Sequence, residues 1–244
     1  MPSWFPLPCR AAGAVAAAGA FWLVSSVSAA RPSPPLPAGL PEAERVQLQQ
    51  ITDAADVATR VEAEPFVTRR EVFEYLLDHP EFATHVARSL RLARYRIWRT
   101  PAGLFLDDGW GVSGHFWVVY AANGTRVMRA TGDYKKAFLP RIRGEAVTMI
   151  EYDLSPAGDG RSLVRPTVSG FLRLDSRLAS LALNVASAVA QRKADLEARR
   201  LMKVFARVSR ALEENPAGVW EQLRQRPDVP RPELEEFGRL LNAR

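Results

Sequence analysis

The stretch VEAEPFVTRREVFEYLLDHPE, residues 61–81, contains the features that decide the fold. Its start continues an alternation of apolar and charged residues that begins at Val57, which predicts a half-buried strand over residues 57–66. Thr68 and Glu71 have the spacing of a capping box, so a helix is expected to follow them. The apolar positions of that helix are Val72, Phe73, Leu76 and Leu77.

The end of the same stretch predicts the start of a second helix. Asp78 is a residue type that caps helices, and Pro80 is tolerated in a first turn because its missing N–H has no partner there. A short helix is therefore predicted over residues 82–90, after a tight corner at His79.

Downstream, apolar residues alternate with a period of two from Tyr95 onwards, which is typical of antiparallel strands. Asn123-Gly124 is the strongest short hairpin signal, because both turn positions need positive φ. Strands are predicted at residues 95–99, 110–120, 126–131, 138–142, 144–154 and 163–174. Residues 176–214 contain neither proline nor glycine and predict a long helix, and two short amphipathic helices follow it. The expected fold class is α+β.

The strand and helix pair at residues 61–81 resemble the opening of the START-like superfamily, also called SRPBCC or helix-grip proteins, with His79 inserted before the proline. This resemblance implies a curved antiparallel sheet of about six to seven strands, wrapped on a long C-terminal helix around an apolar cavity. The extra C-terminal helices have no counterpart in the superfamily. The expected divisions are a signal peptide at 1–30, a proline-rich linker and short helix at 31–49, the START-like domain at 50–213 and a helical tail at 214–244.

One face of each predicted strand is assigned to this cavity. The residues predicted to line it are Trp110, Val112, Phe116, Met128, Ile150, Tyr152, Val168, Leu172, Leu181 and Val185. The alternation also places Tyr120 on this inner face and Val127 on the outer face. Ordinary core packing explains each residue taken alone. Small helix residues such as Ala182 and Ala186 either let backbones approach closely or leave room for a ligand.

The resemblance implies binding or transport of a lipid or other hydrophobic small molecule without catalysis. No catalytic residue, cofactor or metal is predicted, because Cys9 is the only cysteine and the three histidines have a poor spacing for metal ligands. Two alternatives stay open. One is a cyclase or aromatase-type enzyme of the same fold, and the other is a filled-in module that acts through protein contacts of its basic helix and tail.

The first thirty residues have the three parts of a secretory signal. Arg10 precedes an uncharged run at 11–30, and small residues stand at Val27 and Ala29. Cleavage after Ala29 or Ala30 predicts an exported, periplasmic protein. The alternative is an uncleaved inner-membrane anchor through residues 11–30, because twenty helical residues just span a bilayer core of about 30 Å.

The chain is basic, with 33 lysines and arginines against 27 acidic residues and a net charge of +6. The long helix carries a cluster of this charge at Arg192, Arg199, Lys203 and Arg207. For an exported protein an anionic membrane surface is the expected partner, and nucleic acid is not. A solvated helical face is the alternative.

Overall fold

The computed structural model describes residues 35–135, 141–175 and 187–242, which form eight strands and six helices. The strands are β1 (Val57–Glu62), β2 (Phe66–Thr68), β3 (Arg96–Thr100), β4 (Gly103–Asp107), β5 (Val112–Ala122), β6 (Thr125–Tyr134), β7 (Ile142–Gly158) and β8 (Arg161–Leu174). The helices are α1 (Glu42–Asp53), α2 (Arg70–Asp78), α3 (Pro80–Ser89), α4 (Ser187–Glu214), α5 (Pro216–Arg224) and α6 (Arg231–Asn242).

The strands form one antiparallel sheet in the order β1-β8-β7-β6-β5-β4-β3, and β2 also pairs with β8. The predicted hairpin at Asn123-Gly124 joins β5 to β6, with φ values of 49° and 69° at the two turn residues. Helix α4 packs on one face of this sheet and its backbone lies closest to β1, β2 and β8. The α+β, helix-grip architecture is therefore confirmed.

The sheet has eight strands rather than the predicted six to seven, for two reasons. The strand predicted over 57–66 is interrupted at residues 63–65, and its two parts pair with different stretches of β8. Strand β4 was not predicted, because its short apolar run directly follows a Pro101-Ala102-Gly103 turn. The strand predicted at 138–142 and the start of the helix predicted at 176–214 lie largely outside the described residues.

The helix pair at 61–81 is confirmed, but its predicted capping box is wrong. Helix α2 begins at Arg70, and Thr68 gives its backbone no side-chain cap. Instead, Glu213 of α4 accepts hydrogen bonds from the backbone N–H and from Nε of Arg69, both at 3.1 Å. A carboxylate from a distant helix thus takes the place of the local cap.

Both faces of the sheet are covered over part of their area. The inner face packs on α4 through Ile150, Val168 and their neighbours. The outer face of β6, β7 and β8 packs on α1, which buries Leu48 and Ile51 completely. Val127 lies on the outer face as predicted, yet it is fully buried because α1 covers it.

The predicted inward direction of Tyr120 is wrong. The register of β5 against β6 shifts between Val118 and Tyr120, so that Val118 pairs with Met128 and Tyr120 pairs with Val127. Such a β-bulge inserts one extra residue and moves the following side chain to the other face. Tyr120 therefore packs on the outer face, beside α1.

Three glycines lie side by side across the middle of the sheet. Gly114 of β5 pairs with Gly132 of β6, which pairs with Gly144 of β7. A Cβ atom on Gly132 would lie 2.6 Å from the carbonyl oxygen of Ser113, so only glycine fits. This glycine row lets three strand backbones approach closely, and it leaves the inner face without side chains there.

The C-terminal helices form a second core with α2, α3 and the end of α4. Phe82, Leu212, Leu223 and Phe237 are completely buried in it. Arg69, itself buried, joins this core to the sheet domain, because its guanidinium donates to the carbonyl oxygen of Leu241 at 3.1 Å as well as to Glu213.

Candidate ligand site on the inner face of the sheet

The inner face of β5 to β8 consists of parallel rows of side chains that are set by the strand register. Three successive rows are Val118, Met128, Thr148 and Gly170; Phe116, Ala130, Ala146 and Leu172; and Gly114, Gly132, Gly144 and Leu174. Seven of these twelve positions are glycine, alanine or threonine. The middle of the inner face is therefore lined by small groups.

One end of this face is closed. Ile150, Tyr152 and Val168 are 3%, 6% and 3% exposed, and they share one core cluster with Ala198 and Met202 of α4. Three of the predicted cavity residues thus lie in packed core at this closed end.

Tyr152 adds a polar cluster to the closed end. Its hydroxyl donates a hydrogen bond of 3.1 Å to Oε1 of Glu74 on α2. The guanidinium of Arg126 lies 5.9 Å from the Tyr152 ring and donates two hydrogen bonds to Asp78, at 2.6 and 3.1 Å. Burial is the main cause that raises the pKa of Tyr152 to about 12. All four side chains have partners, so the cluster closes this end.

Part of the inner face outside this closed core is open. Leu172, Val118 and Val112 are 37%, 36% and 43% exposed, although the first two stand in the rows that face α4. Large apolar side chains at these positions leave apolar surface in contact with water. An exposed apolar surface of this kind on a concave face is typical of a ligand-binding site.

Phe116 and Met128 stand in the same two rows as Leu172 and Val118. Phe116 is buried with Ile97 and Leu104 from β3 and β4, and the partly buried Met128 touches both this cluster and the core under α4. Ile97 stands in the strand predicted at 95–99 but was not assigned to the cavity, whereas Leu104 was missed as a candidate because β4 was missed. The alternation of Leu104 with Leu106 was the available signal for this strand.

Of the last three predicted cavity residues, one lies in a loop away from the inner face and two lie outside the described residues. Trp110 lies in the loop between β4 and β5, where it is 62% exposed and has the guanidinium of Arg94 at 5.9 Å from its ring. Leu181 and Val185 lie outside the described residues. A separate open depression of about 330 Å³ lies along one side of α1, away from the space between the sheet and α4.

The exposed face of α4 carries the predicted basic residues. Arg192, Arg199, Lys203 and Arg207 are all exposed, and Arg210 continues their row. Residues 192 to 210 span about 27 Å of helix at 1.5 Å per residue. Leu196, on the same face, is 57% exposed. Together these residues form a basic row that is interrupted by one exposed leucine.

Within the ranges that the structure describes, no group of three or more His, Cys, Asp or Glu side chains is arranged to hold a metal ion. In the same ranges no helix is long and apolar enough to cross a membrane.

The architecture places the chain in the structural class of α+β helix-grip folds. No protein-family model and no curated protein matches the chain. Among solved structures it is similar to a conserved protein from Geobacillus kaustophilus, with 13% identity, a TM-score of 0.37, and coverage of 63% of this chain and 93% of the other.

Two further solved structures show a comparable similarity. A hypothetical protein from Helicobacter pylori has 12% identity and a TM-score of 0.40, and the alignment covers 66% of this chain and 92% of that one. The structure of Ara h 8.0201 has 14% identity and a TM-score of 0.27, with coverage of 61% and 98%.

Proposed function

We propose that this protein binds a lipid or another hydrophobic small molecule between the inner face of the sheet and α4, and that it does so without catalysis. The observation that carries the proposal is the open part of the inner face. There, Leu172, Val118 and Val112 remain exposed beside rows of glycine and alanine. Transfer of an apolar ligand onto this surface removes apolar area from water on both partners.

The position of α4 supports the same proposal. Its backbone lies closest to β1, β2 and β8, whereas the glycine row belongs to β5, β6 and β7. The closed end around Tyr152 holds the helix to the sheet, and the small side chains of β6 and β7 face the space beyond it. We place the apolar part of a chain-like ligand against Ala130 and Ala146.

The basic row of α4 supports docking of the carrier at an anionic membrane. Arg199, Lys203 and Arg207 are exposed and, among the described residues, form no ion pair. Cations near an anionic lipid surface each contribute about 1 kcal/mol, and the exposed Leu196 lies in the same row. We propose the periplasm as the compartment, on the strength of the signal-like N-terminus. N-terminal sequencing of the protein recovered from a periplasmic fraction tests that assignment.

The first experiment is native mass spectrometry of the protein purified from its own cell envelope, followed by lipid extraction. A hydrophobic molecule that co-purifies at one copy per chain supports the proposal and identifies the ligand. An apo mass, together with no uptake from a mixed lipid extract, contradicts it. That outcome would favour the interaction module, for which the packed core around Ile150 and Tyr152 is already a supporting observation.

A space-filling variant locates the ligand. Ala146→Phe places a large ring between Ala130 and Leu172 and is expected to reduce binding of a fluorescent fatty acid at least about tenfold. Ala122→Phe makes the same change at an exposed position on the outer face, next to the hairpin, and is expected to bind normally. Equal binding by both variants would place the ligand elsewhere.

A further inference from the structure

Four ring side chains form a continuous row on the outer face of β3, β4 and β5. Trp98 pairs across the strands with Phe105, with ring centroids 4.9 Å apart, and Phe105 pairs with His115 at 4.8 Å. His115 stacks on Trp117 of the same strand at 6.3 Å. These four residues are called the aromatic row below.

The aromatic row is on the part of the outer face that α1 does not pack against. The apolar residues under α1 belong to other strands and are completely or almost completely buried, as Val127, Val147 and Met149 show. In contrast, Trp98 is 41% exposed, and the other three rings are partly exposed. The same sheet face thus has one half that is covered by a helix and one half that presents rings.

Arginines next to the row are already neutralised by carboxylates. Arg96 lies 5.8 Å from the Trp98 ring and forms a 3.5 Å ion pair with Asp107. Arg129 lies 4.8 Å from the Trp117 ring and is 3.7 Å from Glu44 of α1. The surface therefore combines tilted and edge-on rings, two of which have a guanidinium over one face, with charges that cancel in pairs. A phosphate-bearing strand needs unpaired cations along its path, and Arg96 and Arg129, which both have carboxylate partners, are not such cations.

The row also has polar ring atoms that are available to a ligand. Trp117 uses its indole N–H on the carbonyl oxygen of Ala102 at 3.0 Å. Within the described residues the indole N–H of Trp98 and the imidazole nitrogens of His115 have no hydrogen-bond partner. A ligand that suits this surface has an apolar face, which covers the rings. It also has hydroxyl groups at its rim. It carries no net charge.

We propose that the aromatic row binds a neutral oligosaccharide of pyranose units. A pyranose ring presents weakly positive C–H groups on one face, which suit the negative face of an aromatic ring. Its equatorial hydroxyls can accept from Trp98 and exchange hydrogen bonds with His115. The site is on the opposite face from the proposed lipid site, so the two proposals stand or fail separately.

The test is calorimetric titration of the full chain with cellohexaose and with chitohexaose, with an oligothymidylate as the anionic comparison. We expect saturable binding of at least one oligosaccharide with a dissociation constant of about 1 mM or below. The dissociation constant is expected to change less than about twofold when salt is raised tenfold, because no net charge is involved. In NMR spectra the indole N–H signal of Trp98 should shift and that of Trp110 should not.

Two matched variants locate the binding. Trp98→Ala removes a partly exposed ring from the row and is expected to weaken binding about tenfold or more. Trp110→Ala removes a more exposed tryptophan outside the row and is expected to leave binding unchanged. Trp117→Phe, which keeps a ring at its position, provides a second test should Trp98→Ala lose stability.

The proposal is overturned by any of three results. Neither oligosaccharide binds at several millimolar, or the two alanine variants lose binding equally, or oligothymidylate binds more tightly with a steep salt dependence.

Discussion

The Tyr152 hydroxyl donates a 3.1 Å hydrogen bond to Oε1 of Glu74, and this contact ties β7 to α2 at the closed end of the sheet. Burial is the main cause that raises the pKa of Tyr152 to about 12, the Glu74 carboxylate acts in the same direction, and Arg126 opposes both. The phenol therefore stays protonated in the folded chain at pH values where an exposed tyrosine ionises.

This shift predicts a loss of stability at high pH. Because the folded pKa lies above the unfolded value of about 10, the contribution is fully present below pH 10 and is lost as pH rises towards 12. Over this window the free energy of unfolding of the native chain should fall by on the order of 2 kcal/mol more than that of Tyr152→Phe. Denaturant titrations at several pH values measure the difference. Parallel pH profiles would contradict the prediction.

The Arg126–Asp78 pair predicts unequal costs for its two partners. The Arg126 side chain is 9% exposed and that of Asp78 is 42% exposed. Asp78→Ala leaves a buried guanidinium without its carboxylate and should lower the free energy of unfolding by about 2 kcal/mol. Arg126→Met removes the charge and keeps the volume, so its cost should be less than half as large. Urea denaturation measures both, and the reverse order would show that the cation does not depend on Asp78.

The glycine row predicts a steep cost for adding one methyl group. A Cβ on Gly132 would meet the Ser113 carbonyl oxygen at 2.6 Å, which the paired strands can relieve only by moving apart. Gly132→Ala should therefore destabilise the protein by about 2–3 kcal/mol. Gly170→Ala is the control, because its Cβ would be 3.1 Å from a side-chain methyl of Thr59 that can shift. Similar melting temperatures for both variants would argue against close approach at Gly132.

The basic row predicts charge-dependent membrane binding. Reversal of Arg199, Lys203 and Arg207 to glutamate should weaken sedimentation with phosphatidylglycerol vesicles about a hundredfold or more, given about 1 kcal/mol for each cation. A control with the same change in net charge reverses the exposed Arg91, Arg143 and Arg165. If the control loses as much binding as the row variant, the attraction depends on total charge rather than on α4.

Much of the fold could be predicted because its signals are local. The corner at His79-Pro80 and the turn at Asn123-Gly124 each depend on backbone preferences of two or three residues, and both are confirmed. The inward direction of Ile150 and Val168 follows from strict alternation, which holds where β7 and β8 pair without irregularity.

The remaining features depend on distant parts of the chain. Tyr120 changes face because of a bulge, and one extra residue in a pair of strands leaves no mark in the pattern of apolar residues. Val127 is buried because α1 packs on the outer face of the sheet. From the sequence, the residues of α1 predict only a short helix, with no indication of what it packs against. The alignment of Gly114, Gly132 and Gly144 becomes visible only when the register of three strands is known.

The buried link of Arg69 to Glu213 and Leu241 has a consequence for the order of folding. It joins residues that are 144 and 172 positions apart, and β1 likewise pairs with β8 across more than a hundred residues. Contacts of such long range are slow to form, because the entropy of closing a large loop is lost before they stabilise the chain. The core around Phe237 cannot be completed until α6 has left the ribosome.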